Sequence, residues 1–201
     1  MEALINAGGK GTRMGACGIE KPMQIIGGLP AIHHVVDAMR AAKHVHKIVV
    51  SVSHNTLETE HYLKDIGIET IRTSGEDFMM DLHESFAVLR GDYVLTCPSD
   101  IPLLKSSVID DVVTSFKPSM ESMVVMIEAP IVRELGITPS YSREIDGKEW
   151  VLSGISVMDR KATLRGDYLN EECLFTKWRE LAVNVNTPGE LDRARKLFGS
   201  L

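Results

Sequence analysis

Directly behind the short apolar run Ala3-Leu4-Ile5 the chain reads Ala7-Gly8-Gly9-Lys10-Gly11-Thr12-Arg13-Met14-Gly15, a glycine-dense cationic loop that Glu20-Lys21-Pro22 closes. Glycine carries no Cβ, so backbone N–H groups in such a loop can turn toward a ligand. Lys10, Arg13 and Lys21 add the positive charge that a polyphosphate requires. A strand running straight into this loop is expected to present a nucleoside-triphosphate cradle at its carboxyl end. Two familiar phosphate loops are excluded. A Walker A loop places a glycine five residues before its Gly-Lys-Ser/Thr, whereas Leu4 stands five before Gly9 and Gly11 follows Lys10. A dinucleotide fingerprint requires Gly-x-Gly-x-x-Gly, and Met14 occupies the place of the third glycine.

Beyond the loop, short apolar runs alternate with helical patterns, the sequence form of βαβ units around a mainly parallel sheet. The first strand is expected over 2–7. Ile32, Val35, Val36 and Met39 share one face of an expected helix over 31–43, which leads to a strand over 47–52. A helix over 56–66, a strand over 68–73, a helix over 78–89 and a strand over 92–97 follow, the last running into Pro98-Ser99-Asp100. Ligands of open α/β sheets gather at the carboxyl ends of the strands, so Gly8, Ser53, Ser74 and Asp100 are expected along one edge. The second half is less regular. Buried strands over 122–128 and 151–158 flank 129–149, where Pro130, Pro139 and Asp146-Gly147 suggest a substrate-facing excursion with a hairpin at Asp146-Gly147. A short strand over 181–185 precedes a closing helix over 187–198, with Thr187 as N-cap, Pro188 in the first turn and Glu190 three residues on. The expected fold is α/β: one domain spanning 1–201, a Rossmann-like three-layer sandwich with a mainly parallel central sheet.

Composition narrows the partners. A chain of 201 residues is too short for two ordinary domains. Its net charge of −6 argues against nucleic acid, because nothing outside the local loop offsets phosphate repulsion. Small-molecule substrates are expected, and a homodimer is the assembly carried forward. Cys17, Cys97 and Cys173 are odd in number and form no Cys-x-x-Cys pair, which suggests neither a disulfide framework nor a thiolate zinc site and points to a cytoplasmic setting. His33-His34 and His44-Val45-His46 lack the helical spacing of a zinc motif. The methionines, Met79-Met80 and Met123 with Met126 among them, are expected to fill the core. No run reaches the ~18–20 apolar residues of a membrane-spanning helix and no signal-peptide pattern opens the chain, so no membrane insertion is expected.

The loop, with Arg13-Met14 inside it and Lys21-Pro22 behind it, resembles the signature of nucleotidyltransferases of the sugar-nucleotide and molybdenum-cofactor type. Glu20-Lys21-Pro22, Thr73-Ser74-Gly75 followed by Asp81-Leu82, Pro98-Ser99-Asp100 and Asn184-Val185-Asn186-Thr187 stand in an order and spacing similar to the archaeal GTP:adenosylcobinamide-phosphate guanylyltransferases. That resemblance runs from Glu2 to about Lys196. It implies a sandwich of the nucleotide-diphospho-sugar-transferase type. It also implies an enzyme of coenzyme B12 assembly, which moves GMP from GTP onto adenosylcobinamide phosphate and gives the GDP-linked corrinoid and pyrophosphate. The loop and metal residues are common to relatives that use molybdopterin or a sugar phosphate, so those acceptors stay open, as does a nucleotide-binding regulatory protein without turnover. Two departures from the family pattern stand out: Asn6, where an apolar residue is usual, and Glu76-Asp77, where a more basic or neutral segment is expected.

Nucleotidyl transfer needs an oxygen nucleophile in line with the α-phosphorus and pyrophosphate as leaving group, so positioning and charge stabilisation dominate. Ala7, Gly8, Gly9, Lys10, Gly11 and Thr12 are expected to hold the β- and γ-phosphates, with Arg13 as a bidentate clamp. Lys21 is expected to meet charge at the α-phosphate, which makes Lys21, Arg13 and Asp100 the expected catalytic residues. Magnesium is the second requirement, because it joins phosphate oxygens with few protein ligands. Asp100, beside Ser99 behind an apolar strand, suits that role. The resemblance maps a second metal ligand to Asn186, and Asn184 is the alternative, since alternation puts both on one face. Backbone groups near Ala7-Gly8, Ser53-His54-Asn55 and Thr73-Ser74-Gly75 are expected to select the base. Asp81, Ser153 and Gly154 are expected at the acceptor, with apolar surface from 129–149 against the corrinoid. The acceptor phosphate is already an anion, so no strong general base is expected.

Overall fold

The computed structural model describes residues 1–15 and 18–200, which leaves Cys17 outside the described residues. In chain order the elements are β1 (Glu2–Asn6), β2 (Ile25–Ile26), β3 (Leu29–Pro30), α1 (Ala31–Ala41), β4 (Lys47–Val52), α2 (Leu57–Asp65), β5 (Glu69–Arg72), α3 (Phe78–Val88), β6 (Tyr93–Pro98), α4 (Ser106–Ser115), β7 (Ser122–Glu128), α5 (Ala129–Glu134), β8 (Ser142–Ile145), β9 (Lys148–Asp159), α6 (Arg160–Arg165), β10 (Glu171–Thr176) and α7 (Pro188–Leu197). Three short 3₁₀ turns, Thr12–Met14, Lys21–Met23 and Arg179–Leu181, lie between them.

One sheet runs in the order β10-β7-β9-β6-β1-β4-β5, with β8 paired to β9. Its first-half strands β5, β4, β1 and β6 are all parallel, and Asn6 at the end of β1 stands opposite both Ser51 and Pro98. That register brings the carboxyl ends of the three central strands level, which makes one edge of the sheet a continuous platform. β9 runs antiparallel to both β6 and β7, while β10 is parallel to β7. Alternation divides the core. Ile5, Val50 and Leu95 face a layer containing Ile32 and Val35 of α1, Leu63 of α2 and Ile109 of α4. Their neighbours Leu4, Val49 and Val94 face the other layer, where Leu82 and Phe86 of α3 pack. A mostly parallel sheet clothed by helices on both faces is the three-layer architecture expected of alternating strand and helix patterns.

The hairpin forms where Asp146-Gly147 indicated. Asp146 at φ 52° and Gly147 at φ 71° make the two-residue turn between β8 and β9. Thr187 caps α7 by accepting from Glu190 N–H at 3.3 Å. Three expectations are corrected. Residues 181–185 form no strand, because both edges of β6 are taken by β1 and β9, and the segment is tied to the site by Val185 N–H donating to Asp100 O at 2.8 Å and by Asn184 Oδ1 accepting from Asn186 Nδ2 at 2.7 Å. Met79 and Met80 are exposed on the first turn of α3 rather than packed in the core, whereas Met123 and Met126 are buried. The excursion over 129–149 begins with the helix α5. Among the described residues no helix is long and apolar enough to cross a membrane.

Candidate active site

The glycine loop is folded back on itself by one apolar side chain. Met14 is buried in the core, and the 3₁₀ turn that carries it lies between Gly11 at φ 61° and Gly15 at φ 71°. Both glycines adopt the left-handed region that side chains with a Cβ disfavour. Burying Met14 leaves its neighbours Thr12 and Arg13 exposed. Gly11 has a second reason to lack a side chain, since a Cβ there would lie 3.2 Å from Cβ of Lys21. The loop therefore rests on the stem of Lys21.

Lys21 is placed from the other side by its neighbour. The Glu20 carboxylate accepts from Glu58 N–H and Thr59 N–H, each at 2.8 Å, and from Thr59 Oγ1 at 2.6 Å. These are open amide groups at the start of α2, where the helix dipole favours an anion. Glu20 thus caps a helix from outside it and pins the Glu20-Lys21-Pro22 segment. The order of the motif makes physical sense: the acid anchors, the lysine projects into the cleft, and Pro22 takes the second position of the turn that Lys21 opens.

Five polar side chains meet at the foot of the loop. Lys21 Nζ donates to Asp100 Oδ2 and, at 2.7 Å, to Asn186 Oδ1. Arg13 Nη2 donates to the same Asn186 oxygen at 2.9 Å. Asn186 Nδ2 donates to Asn184 Oδ1 at 2.7 Å, so the two asparagines share a face. Backbone N–H of Asn186 is held by Glu190 Oε2 at 2.9 Å, which ties the first turn of α7 to the site. Asp100 is only 8% exposed, and its Oδ1 is buried with no hydrogen-bond partner. A buried carboxylate oxygen left unpaired is costly and rare, and it is a ready ligand for a hard cation. Cys97, three residues upstream, is no nucleophile: complete burial pushes its thiol well up, and the Asp100 carboxylate adds to the effect.

A cleft of about 650 Å³ opens above this cluster. Of the residues expected from sequence, Ala7, Gly8, Gly9, Lys10, Gly11, Thr12, Arg13, Lys21, Gly75, Asp81, Ser99, Asp100, Gly154 and Asn186 line it. Ser53, Thr73, Ser74 and Ser153 lie outside the lining, and each has another task. Ser53 Oγ, fully buried, donates to Gly8 O at 2.6 Å and accepts from Asn55 N–H at 3.0 Å. Thr73 is buried against Val52 O. Ser74 Oγ donates to Asp81 Oδ1 at 2.8 Å, and Ser153 Oγ accepts from Ile155 N–H at 3.1 Å inside the bulge of β9. These four side chains hold the loops rather than lining the cleft, which leaves base selection to backbone groups of the 53–55 and 73–75 segments as the expectation to test. Asp81 lines the cleft yet also accepts from Gly75 N–H at 3.0 Å, so its carboxylate organises the 74–77 loop. Gly154 is required by packing, because a Cβ at its φ of 83° would come within 3.0 Å of Pro98.

Asn6, Ser51, Glu76, Phe78 and Leu152 line the wall without having been expected there as contacts, Ser140 and Tyr141 bring the 129–149 excursion to it, and Pro22, Pro98 and Asn184 join them. Asn6 Oδ1 accepts from Ser51 Oγ at 3.3 Å, a pairing that its departure from the apolar pattern made detectable. Glu76 accepts from Lys10 Nζ at 2.6 Å, and that hydrogen bond holds its carboxyl below the usual range. The role of Glu20 had no signal in sequence, since its partners lie 38 and 39 residues away.

Comparison with known proteins agrees with this geometry. A family model described as the MobA-like NTP transferase domain matches residues 3–152. Adenosylcobinamide-phosphate guanylyltransferase of Methanocaldococcus jannaschii is 36% identical, over 98% of this chain and 97% of its own length. Molybdenum cofactor guanylyltransferase of Shewanella putrefaciens is 27% identical over 67% of this chain and 72% of its own. A solved structure of CMP:2-keto-3-deoxy-manno-octonic acid synthetase complexed with CTP shares the fold, with a TM-score of 0.77 at 14% identity, over 100% of this chain and 98% of that one. The chain belongs to the MobA-like NTP transferase domain family, among the nucleotidyltransferases related to adenosylcobinamide-phosphate guanylyltransferase.

Proposed function

We propose that the protein transfers GMP from GTP to adenosylcobinamide phosphate, releasing pyrophosphate. The observation that carries this reading is the meeting of Lys21, Arg13, Asp100 and Asn186 at the foot of a glycine loop, in a chain alike over nearly its whole length to a guanylyltransferase of that acceptor. Amides of the loop, with Lys10 and Arg13, hold the β- and γ-phosphates. An oxygen of the acceptor phosphate attacks the α-phosphorus of GTP, a new P–O–P bond forms, and the bond to the β-phosphate oxygen breaks with its electron pair leaving on pyrophosphate. Lys21 and Arg13 neutralise the charge that gathers on the phosphates. No proton has to be removed from the nucleophile, which agrees with a cleft lined, among the described residues, by no Cys or His.

The residues fit a magnesium ion. Asp100, through its unpartnered Oδ1, and Asn186, through its amide oxygen, would hold it, and this all-oxygen donor set suits a hard divalent cation. When bound, magnesium supplies positive charge to the triphosphate oxygens. On this reading Ser140, Tyr141, Leu152 and Gly154 face the corrinoid phosphate, and the protein works in the cytoplasm as one domain on small molecules.

Pyrophosphate release, measured with each nucleoside triphosphate, Mg²⁺ and a set of acceptors, tests the proposal. GTP with adenosylcobinamide phosphate is expected to give pyrophosphate and the GDP-linked corrinoid. Molybdopterin is the rival acceptor, favoured by the similarity to the molybdenum cofactor enzyme. Turnover with molybdopterin or a sugar phosphate, and none with the corrinoid, would reject the acceptor assignment. Tight GTP binding without turnover on any acceptor would favour a regulatory nucleotide-binding protein.

A further inference from the structure

The ε-ammonium of Lys21 donates to Asp100 Oδ2 and to Asn186 Oδ1, the two side chains that would hold magnesium. We propose that Lys21 and the metal compete for these oxygens, so that Lys21 is the resident cation of the site and metal enters only when carried by a triphosphate. This inference rests on the metal assignment made above and adds an order of binding to it.

Charge and geometry support the exchange. The oxygens that would hold the metal already carry two cations, Lys21 and Arg13, whose charge is balanced by Asp100 and by the Glu190 carboxylate on Asn186 N–H. A bare divalent ion arriving there meets like charge at close range, in surroundings where Lys21 and Asp100 side chains are only 17% and 11% exposed. A metal bound to a triphosphate arrives with net negative charge and meets attraction instead. The same triphosphate offers Lys21 a new partner. The stem of Lys21 is held at its base by the close approach of Gly11, and the backbone beside it by the Glu20 cap of α2. Beyond Cβ the side chain is a flexible chain of carbons with a point charge at its tip. Only the head has to move, from the carboxylate to the α-phosphate, while its anchorage stays in place. Asp100 Oδ1 has no hydrogen-bond partner to give up in the exchange.

Manganese supplies a probe that needs no turnover. Free Mn²⁺ is followed by electron paramagnetic resonance during titration of the full-length protein. Wild type is expected to bind Mn²⁺ weakly alone and at least tenfold more tightly with GTP. Lys21→Met is expected to tighten binding in the absence of nucleotide by tenfold or more, and adding Asp100→Asn to that variant is expected to remove the gain. Should Lys21→Met fold poorly by circular dichroism, Lys21→Gln serves in its place. An affinity for Mn²⁺ that is unchanged or weaker in a well-folded Lys21 variant overturns the exchange while leaving the metal assignment intact, provided wild type still binds Mn²⁺ with GTP. Absence of Mn²⁺ binding to wild type even with GTP overturns both.

Discussion

On the rim built by the glycine loop, each cation facing the cleft is tied to a distant segment: Lys10 to Glu76, Arg13 to Asn186, Lys21 to Asp100 and Asn186. On the rim built by β8 and β9 the lining is held mainly through its backbone. Leu152 N–H donates to Tyr141 O at 2.9 Å, while Tyr141 as a residue stands 71% exposed. The contrast separates two jobs. Groups that neutralise a developing phosphate charge act best when oriented in advance, because reorienting them at the moment of reaction costs free energy. A rim that receives a large acceptor has only to offer surface of suitable shape. Enzymes with different acceptors can therefore share the first rim and differ in the second.

The largest effects are expected where the loop rim meets Asp100. Asp100→Ala and Lys21→Ala are each expected to lower turnover by on the order of 10²-fold or more, read as pyrophosphate release at saturating substrates. Rates close to wild type in both would dissolve the distinction between the rims. Glu20→Ala comes next. Removing the cap of α2 is expected to cost about 1–2 kcal/mol in urea unfolding, and loosening the Lys21 segment is expected to slow turnover about tenfold. A stability loss with unchanged kcat would show that Lys21 does not depend on its neighbour. Tyr141→Ala sharpens the comparison from the opposite side. KM for the acceptor is expected to rise about fivefold with kcat and the KM for GTP nearly constant, as for lost uniform binding; a matching rise in the KM for GTP would contradict the division.

Glu60→Gln is the control, away from the cleft. Hydrogen bonds from Arg72 and Lys64 hold the Glu60 carboxyl below the usual range. Its contribution to stability is thus present above the unfolded value near 4.5 and fades as pH falls through the lower folded value. The variant is expected to be destabilised by about 1 kcal/mol at neutral pH, with solvent screening of exposed partners limiting the effect. Thermal unfolding should show the difference shrinking toward zero in acid, with turnover at neutral pH unaltered. A difference that persists at low pH would remove the ion pair as its cause.

Much of the first half was legible because its signals are local. An apolar run sized for a strand, glycines where φ turns positive and a 3.6-residue apolar spacing over 31–41 depend on neighbours in sequence. The strands Lys47–Val52 and Ser122–Glu128 fall on the expected residues. What escaped were elements with weak local pattern. α5 and α6 span six residues each, too few for periodicity, and β10 opens on two glutamates. In α4 the buried Val108, Ile109 and Val112 are β-branched residues that suit a strand as well. Ser53 and Ser153 resemble ligand-contacting serines in sequence, and only burial shows that their hydroxyls hold backbone instead.

From its order of residues alone, this chain determined a glycine loop at the end of a first parallel strand and put Lys10, Arg13, Lys21 and Asp100 forward for the chemistry, while Asn186 entered through the family resemblance. Those choices follow from backbone freedom and charge, which each residue carries wherever it is placed. Tertiary structure decided how they combine: that Glu20 caps a helix 38 residues on, that Arg13 and Lys21 converge on one amide oxygen of Asn186, and that Asp100 keeps one oxygen buried and unshared. Contacts across 165 and 173 residues leave no trace in local pattern, because only the closing of the sheet and the docking of α7 bring those side chains together.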